Sequence, residues 1–137
     1  MSIIFYWRCI VLNTSNNYKK YTVLYVEDEK IVRSNVEVCL NYLFNVIIAE
    51  NGKDGLEKFK NECVDLVITD VNMPLKDGIT MLKDIKEINP NVPCIITSAL
   101  DLDMIEKIKS LNVCKCISKP FDMRELLDNS MEILKLE

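Results

Sequence analysis

Short apolar segments alternate with longer amphipathic segments from Tyr21 onward. The short segments are rich in β-branched residues, which predicts strands. These predicted strands span residues 22–26, 45–49, 65–69, 92–97 and 114–118. Between and after them, apolar side chains recur every three or four residues, which predicts amphipathic helices. The side chains predicted to face the core are, helix by helix, Val32, Val36, Cys39, Leu40 and Leu43; Leu56, Phe59 and Cys63; Leu82, Ile85 and Ile88; Met104, Ile105, Ile108 and Leu111; and Leu126, Leu127 and Leu134.

Turn-forming residues separate these elements. Asn51-Gly52, Asp77-Gly78, Asn89-Pro90 and Asn112 are predicted to stop the element before them, and Asn112 can adopt the left-handed conformation that often follows a helix. Alternation of strands and helices requires right-handed crossovers, so it predicts an α/β fold with a doubly wound parallel sheet and helices on both faces. Because the strands are continuous apolar runs, we expect them to be buried on both sides.

The composition indicates one domain whose chemistry does not use histidine. Of 137 residues, 49% are hydrophobic and 28% are charged, which is enough for one core but not for two domains. The chain contains no histidine, which excludes histidine general bases, histidine metal ligands and Ser-His-Asp triads. Any chemistry must therefore use carboxylates, hydroxyls, amines or thiols.

Charge and cysteine content indicate an acidic, reduced protein. A net charge of −4 and an isoelectric point near 5.0 argue against a nucleic-acid partner. The six cysteines show no CxxC spacing, and without histidine they cannot form a mixed zinc site. We therefore expect a cytoplasmic protein with free thiols, and a structural disulfide is the alternative.

Residues 1–20 are expected to form a segment separate from the predicted domain at 21–137. Their apolar run, MSIIFYWRCIVL, lacks the basic region and the cleavage site of a signal peptide. It is also shorter than the roughly 20 apolar residues that a membrane helix needs, so we expect no membrane anchor. The segment is either an extension, such as one created by a misassigned start codon, or an added element that packs on the domain or on a partner.

Polar side chains follow four of the predicted strands. They are Glu27 and Asp28 after the first, Asp70 after the third, Ser98 at the end of the fourth and Lys119 after the fifth. Taken singly, each has an ordinary explanation, such as a helix cap, a turn or a solvated charge. Because the carboxyl ends of parallel strands meet at the edge where such sheets bind ligands, we expect these side chains to lie together.

Three neighbouring carboxylates require a cation, since two like charges at about 4 Å repel by about 4 kcal/mol at an effective dielectric of roughly 20. Oxygen ligands without histidine or cysteine favour Mg²⁺. With Mg²⁺ and Lys119, the site is nearly neutral and can receive a phosphoryl group. Asp70 is then the candidate nucleophile, and Lys119 neutralises a phosphoryl oxygen. Ser98 can bind the modified Asp70, which links modification to a change of shape.

These residues lie in motifs that resemble the receiver domain of bacterial two-component response regulators. The motifs are VLYVEDE (23–29), LVITDVNMPLKDG (66–78), PCIITSA (93–99) and ISKPF (117–121). The resemblance implies a flavodoxin-like (βα)5 fold with strand order 2-1-3-4-5. It also implies that a sensor histidine kinase or a phosphotransfer protein donates the phosphoryl group from a phosphohistidine.

The resemblance further implies a ligand set for Mg²⁺. The ligands would be the carboxylates of Glu27, Asp28 and Asp70 and the backbone carbonyl of Asn72. A cis bond between Lys119 and Pro120 is also implied, which the X-Pro equilibrium permits.

Three further positions are assigned by comparison with the receiver pattern. Thr97 and Ser98 both carry hydroxyls, and the pattern favours Ser98. Cys116 lies three residues before the lysine, where receivers commonly carry an aromatic switch residue, and we expect it to be a small buried strand residue without a redox role. Leu100 is expected to slow self-dephosphorylation because an apolar side chain there obstructs the attacking water.

The chain ends at Glu137, soon after the fifth predicted helix. We therefore expect a stand-alone receiver, not an enzyme, that binds a target protein through the fourth helix, fifth strand and fifth helix. One alternative is a receiver excised from a hybrid histidine kinase or a longer regulator. Another is an unphosphorylated docking module. A third is a hydrolase with an aspartyl-phosphate intermediate, but such enzymes place a DxD motif after the first strand, whereas Asp70 follows the third.

Overall fold

The computed structural model describes residues 20–99, 102–113 and 115–135, in which strands and helices alternate. The strands are β1 (Thr22–Val26), β2 (Asn45–Ala49), β3 (Leu66–Thr69), β4 (Cys94–Ser98) and β5 (Lys115–Ser118). The helices are α1 (Lys30–Asn41), α2 (Gly52–Asn61), α3 (Gly78–Ile88), α4 (Leu102–Lys109) and α5 (Met123–Ile133). The sequence predicts the bounds of β1 and β2 correctly, and β3 and β4 differ from the prediction only at their ends.

The strands form one parallel sheet in the order β2-β1-β3-β4-β5, as the receiver resemblance implies. Val26, the last residue of β1, lies opposite Ala49 of β2 and Thr69 of β3. In β4 and β5, Ser98 lies opposite Ser118. The flavodoxin-like α/β fold is therefore confirmed, and the register brings the ends of the strands to one edge.

Each face of the sheet carries its own apolar core, because successive residues of a strand point to opposite sides. On one face, α2, α3 and α4 cover the sheet and contribute Phe59, Leu82, Ile85, Met104 and Ile108. On the other face, α1 and α5 contribute Val36, Leu40, Leu126 and Leu127. This two-sided packing makes the central strands β1, β3 and β4 almost completely buried.

Several side chains predicted to be buried are exposed. Burial on both sides is wrong for the edge strands β2 and β5, which have a neighbour on one side only. Cys116 is exposed, and the buried residue of β5 is Ile117, which points to the opposite face of the strand. Ile88 and Ile105 are 50% and 38% exposed, and Cys63 is exposed because it lies beyond the end of α2. The apolar pattern alone therefore does not determine which of these side chains are buried.

Two of the predicted stops begin helices. Asn51 caps α2 by accepting a hydrogen bond from the Asp54 N–H at 2.8 Å, and Asp77 caps α3 by accepting one from the Thr80 N–H at 2.7 Å. Both residue types favour the first position of a helix as strongly as a turn, so each follows the strand before it and also starts the next helix. Asn112 has a φ of 53°, so its predicted left-handed conformation is confirmed.

Some predictions lie outside the described residues. These include the role of the segment at 1–19 and the effect of Leu100. In the described part of the chain, Cys39, Cys63, Cys94 and Cys116 take part in no disulfide. The helices described there are too short or too polar for any of them to cross a membrane.

Candidate functional site

The candidate site lies at the carboxyl edge of the sheet, where backbone hydrogen bonds continue past the strand ends. These bonds run from the N–H of Glu27 to Ala49 at 3.0 Å, from Asp70 to Val26 at 3.1 Å and from Lys119 to Ser98 at 3.1 Å. Each functional residue is therefore held by the strand beside its own. The side chains start from fixed backbone positions, which favours a preorganised site.

Glu27, Asp28 and Asp70 form a carboxylate cluster. One oxygen from each of the three lies within 4.8 Å of the others. Glu27 is fully buried and Asp70 is 8% exposed. The ordinary explanation of Asp28 as a helix cap fails, because Glu29 occupies the N-cap position of α1 and makes no capping hydrogen bond with its side chain. Asp28 therefore does not cap α1, and its carboxylate belongs to the cluster.

Lys119 bridges two members of this cluster. Its Nζ lies 2.7 Å from Oε1 of Glu27 and 3.0 Å from Oδ2 of Asp70. Burial lowers the pKa of Lys119, but the hydrogen bonds and negative charges of Glu27 and Asp70 outweigh this effect and raise the pKa overall. Lys119 is therefore a cation fixed at the acidic cluster. The bond between Lys119 and Pro120 is cis, which confirms that prediction.

Burial also raises the pKa of Glu27, and the charge of Asp70 adds to this effect. The hydrogen bonds from Lys119 and from the Glu29 N–H act in the opposite direction. Three carboxylates and one ammonium carry a net charge of −2. An oxygen donor set with that excess of charge fits a hard divalent cation, so Glu27, Asp28 and Asp70 could hold Mg²⁺.

Asp70 is oriented by its own loop as well as by Lys119. Its Oδ1 accepts a hydrogen bond from the Val71 N–H at 2.7 Å, and its backbone carbonyl accepts one from the Thr69 hydroxyl at 2.8 Å. These hydrogen bonds fix the carboxylate of Asp70, which its ordinary explanation as the start of a turn does not require. Asn72 lies two residues further along the same loop and is exposed. It borders a cavity between α3 and α4, together with Asp77.

The hydroxyls of Thr97 and Ser98 have different surroundings. Thr97 is fully buried, and its hydroxyl lies 3.5 Å from the Thr69 carbonyl on the neighbouring strand. Ser98 is the last residue of β4, is 2% exposed, and accepts the backbone hydrogen bond from Lys119. The Thr97 hydroxyl thus interacts within the sheet, while Ser98 lies at the edge that carries Lys119.

Arg33 is a site residue that the sequence analysis missed. Its Nη1 donates to the backbone carbonyl of Glu27 at 2.8 Å and approaches that of Asp28 at 3.3 Å. One guanidinium from the first turn of α1 therefore fixes the main chain of the acidic pair. The only available signal in the sequence was an arginine in the first turn of α1. Such a cation opposes the helix dipole and calls for a compensating contact.

Comparison with known proteins identifies the class. The family model of the response regulator receiver domain matches residues 23–130, and the chain belongs to this family. The resemblance found in the sequence motifs is thereby confirmed. The protein is a response regulator receiver domain.

Individual relatives differ in how much of them the chain covers. It is 38% identical over 101 residues to the autoinducer 1 sensor kinase/phosphatase LuxN of Vibrio campbellii (strain ATCC BAA-1116), which is 70% of this chain but 12% of LuxN. It is 36% identical over 121 residues to the sporulation initiation phosphotransferase F of Bacillus subtilis (strain 168), 84% of this chain and 94% of that protein.

Among solved structures, the chain is similar to a CheX–CheY–BeF3–Mg²⁺ complex from Borrelia burgdorferi. The TM-score is 0.74 at 30% sequence identity, and the match covers 83% of this chain and 89% of that one. The chain therefore matches some similar proteins over nearly their whole length, and it matches LuxN over a small part of a much longer protein.

Proposed function

We propose that Asp70 is the phosphoryl acceptor of this receiver domain, which spans residues 21–137. The observation that carries the proposal is the position of its carboxylate, which lies 3.0 Å from the Lys119 ammonium and within 4.8 Å of the Glu27 and Asp28 carboxylates. Asp70 retains enough exposure, 8%, for a phosphoryl donor to reach it, whereas Glu27 is closed to solvent. Accessibility thus separates Asp70 from Glu27 but not from Asp28, which is more exposed. The contact with Lys119 is what favours Asp70 over Asp28.

Glu27, Asp28 and Asp70 would hold Mg²⁺, with the backbone carbonyl of Asn72 as a further ligand. The charge excess of the cluster and its all-oxygen donor set support this assignment. When bound, Mg²⁺ neutralises charge on the oxygens of the transferring group. Arg33 holds the acidic pair in place through hydrogen bonds to its main-chain carbonyls.

The donor would be a phosphohistidine on a sensor histidine kinase or a phosphotransfer protein. A carboxylate oxygen of Asp70 forms the new P–O bond as the P–N bond breaks, and the electron pair of that bond returns to the imidazole of the donor. Lys119 neutralises an oxygen of the group in transfer. The family membership and the similarity to a phosphotransferase of Bacillus subtilis support this donor class. In this role the chain is a substrate of phosphotransfer and not an enzyme acting on other molecules.

Ser98 would bind the phosphoryl group on Asp70 and so respond to phosphorylation. A phosphoryl group on Asp70 is a strong acceptor that the free carboxylate does not provide in the same position, and the Ser98 hydroxyl can donate to it. Ser98 already shares a backbone hydrogen bond with Lys119, so movement at either residue passes to the other strand. The output would be altered binding of a target protein by α4, β5 and α5.

Phosphorylation can be tested by intact mass after incubation with acetyl phosphate and Mg²⁺. We expect one phosphoryl adduct on the wild-type protein and none on Asp70→Asn, which keeps the shape of the side chain. Asp103→Asn removes an exposed carboxylate of α4 and should leave the adduct unchanged. A chelator of divalent cations should prevent formation of the adduct.

The same experiment separates the alternatives. No adduct on the wild-type protein would indicate a docking module. Continuous hydrolysis of an added phosphoester would indicate a hydrolase. An adduct retained by Asp70→Asn would place the acceptor elsewhere and contradict the proposal.

A further inference from the structure

Gly52, the first residue of α2, lies against the acceptor loop, which is the segment at 71–77 between Asp70 and α3. Its N–H donates a hydrogen bond to the backbone carbonyl of Lys76 at 2.9 Å, and the residue is buried. The first N–H groups of a helix have no partner within the helix, so here the loop supplies one. β2 and α2 contribute no side chain to the proposed site, and this contact connects them to it.

The two backbones meet closely because glycine has no side chain. A Cβ at Gly52 would overlap the carbonyl oxygen of Lys76 and lie 2.8 Å from its carbonyl carbon. It would also lie 3.0 Å from the carbonyl oxygen of Asp77. All of these atoms belong to the main chain, so no rotation of a side chain relieves the overlap. Any other residue at this position would push the helix and the loop apart.

The helix is less free to move than the loop. Gly55, three residues further along α2, packs so closely on β1 that a Cβ there would lie 3.0 Å from Cγ2 of Val26. The tip of the loop, by contrast, is open to solvent, and Leu75 is 80% exposed. A side chain at position 52 is therefore expected to displace the loop.

Such a displacement reaches Asp70 through two hydrogen bonds. The Gly78 N–H donates to the Val71 carbonyl at 2.8 Å and closes the loop. The Val71 N–H in turn donates to Oδ1 of Asp70 at 2.7 Å. Asn72, whose carbonyl is a proposed ligand of Mg²⁺, follows Val71 in the same loop. The contact at Gly52 therefore bears on two of the proposed ligands.

We propose that Gly52 is a positioning residue that holds the acceptor loop in the arrangement that binds Mg²⁺. The inference rests on the proposed function of Asp70 and on its Mg²⁺ site. Gly52 acts through the Lys76 carbonyl, both by donating its N–H and by leaving room for the close approach. β2 and α2 thereby help to shape a site whose side chains come from other elements.

Gly52→Ala tests the close approach with the smallest possible side chain. We expect it to weaken Mg²⁺ binding about tenfold, measured by isothermal titration calorimetry, because residues that orient metal ligands commonly contribute that much. In the absence of Mg²⁺, the amide resonances of Val71 and Gly78 should shift in a nitrogen–proton NMR spectrum. These shifts report the loop itself and do not depend on phosphorylation.

Asn51→Ala is the matched control. It removes the cap of α2, in which the Asn51 side chain accepts a hydrogen bond from the Asp54 N–H at 2.8 Å. It therefore destabilises the same end of the helix without filling the space beside Lys76. With both variants shown to be folded by urea denaturation, Asn51→Ala should change neither the Mg²⁺ affinity nor the two amide resonances.

Amide hydrogen exchange in the wild-type protein tests the contact without a substitution. Coupling between two sites is reciprocal, so a contact that favours Mg²⁺ binding must itself be stabilised by Mg²⁺. Saturating Mg²⁺ should therefore slow exchange of the Gly52 amide about tenfold. The amide of Lys53, an exposed residue in the same helical turn, is the control and should exchange at an unchanged rate.

The outcomes separate the role of Gly52 from the function of Asp70. If the wild type binds Mg²⁺ and forms the adduct, but Gly52→Ala binds Mg²⁺ as tightly as Asn51→Ala does, only the role of Gly52 is overturned. Should Gly52→Ala fail to fold, exchange of the Gly52 amide decides: a rate that Mg²⁺ slows supports the role, and a rate that does not respond overturns it. If the wild type neither binds Mg²⁺ nor forms the adduct, both proposals are overturned.

Discussion

Nζ of Lys119 lies 2.7 Å from Oε1 of Glu27 and joins two residues that are 92 positions apart in the chain. Glu27 is fully buried, while the side chain of Lys119 is 25% exposed. The pair couples the end of β1 to the loop after β5 across the intervening strands. It also makes the lysine part of the resting structure, in addition to its proposed contact with a phosphoryl group.

Lys119→Met should destabilise the protein in the absence of Mg²⁺. The change leaves Glu27 buried beside Asp70 without its cation, and breaking a buried ion pair costs about 3 to 5 kcal/mol. Because Lys119 is partly exposed, we expect a loss of about 2 kcal/mol in the free energy of unfolding, measured with urea in a chelating buffer.

Added Mg²⁺ should restore part of that loss, because it binds the folded cluster and neutralises the same carboxylates. Lys115→Met removes an exposed lysine of the same strand region and serves as the control. Equal stability of Lys119→Met and Lys115→Met without Mg²⁺ would contradict the structural role of the bridge.

Arg33→Lys should weaken Mg²⁺ binding by about tenfold, because residues that orient metal ligands commonly contribute that much. The substitution keeps the positive charge but loses the planar guanidinium that contacts the carbonyls of Glu27 and Asp28. Isothermal titration calorimetry with Mg²⁺ measures the change. Arg124→Lys makes the same substitution at an exposed position of α5, and a similar loss there would argue against a specific role for Arg33.

The sequence alone predicted the candidate site well because the parallel topology is so restrictive. Once strands and helices alternate, the residues after the strands must share an edge, and Glu27, Asp28, Asp70 and Lys119 meet there. Arg33 escaped notice because it acts on main-chain carbonyls, which every residue has. The one signal, a cation in the first turn of a helix, does not say which carbonyls it contacts.

The layers of the fold were harder to predict than its topology. The apolar run that contains Cys116 resembles a central strand, but β5 lies at the edge of the sheet and exposes three of its four residues. Hydrophobicity along one strand does not reveal how far the neighbouring helices extend over it.

Gly78→Ala should disturb Asp70 through the backbone. A Cβ at Gly78 would overlap the Asp70 carbonyl oxygen and lie 3.1 Å from the Cα of Val71. Neither neighbour can move without shifting the acceptor loop, and Gly78 N–H also donates to the Val71 carbonyl at 2.8 Å. We expect a loss of about 2 kcal/mol in stability and slower phosphorylation.

Gly55→Ala is the matched control for this change. A Cβ at Gly55 would meet Sδ of Met81 and Cγ2 of Val26, which belong to side chains and not to the main chain. The longer and more adaptable methionine can yield, and alanine gains helix propensity within α2. If Gly55→Ala slows phosphorylation as much as Gly78→Ala, the effect of Gly78 does not come from its contact with Asp70.

Leu75→Gly should stabilise the protein. Leu75 has a φ of 67°, a conformation that strains residues with a Cβ by about 1 to 2 kcal/mol, and its side chain is 80% exposed, so it contributes little packing. Glycine removes the strain but gains freedom in the unfolded chain, which offsets about 0.5 to 1 kcal/mol. The strain is the larger effect, so we expect a net gain of about 0.5 to 1 kcal/mol, seen as a higher urea midpoint with an unchanged slope. Asn112→Gly, at a φ of 53°, tests the same geometry with a residue that tolerates it, and its gain should be smaller. A destabilised Leu75→Gly protein would mean that the leucine side chain contributes more to the fold than its exposure indicates.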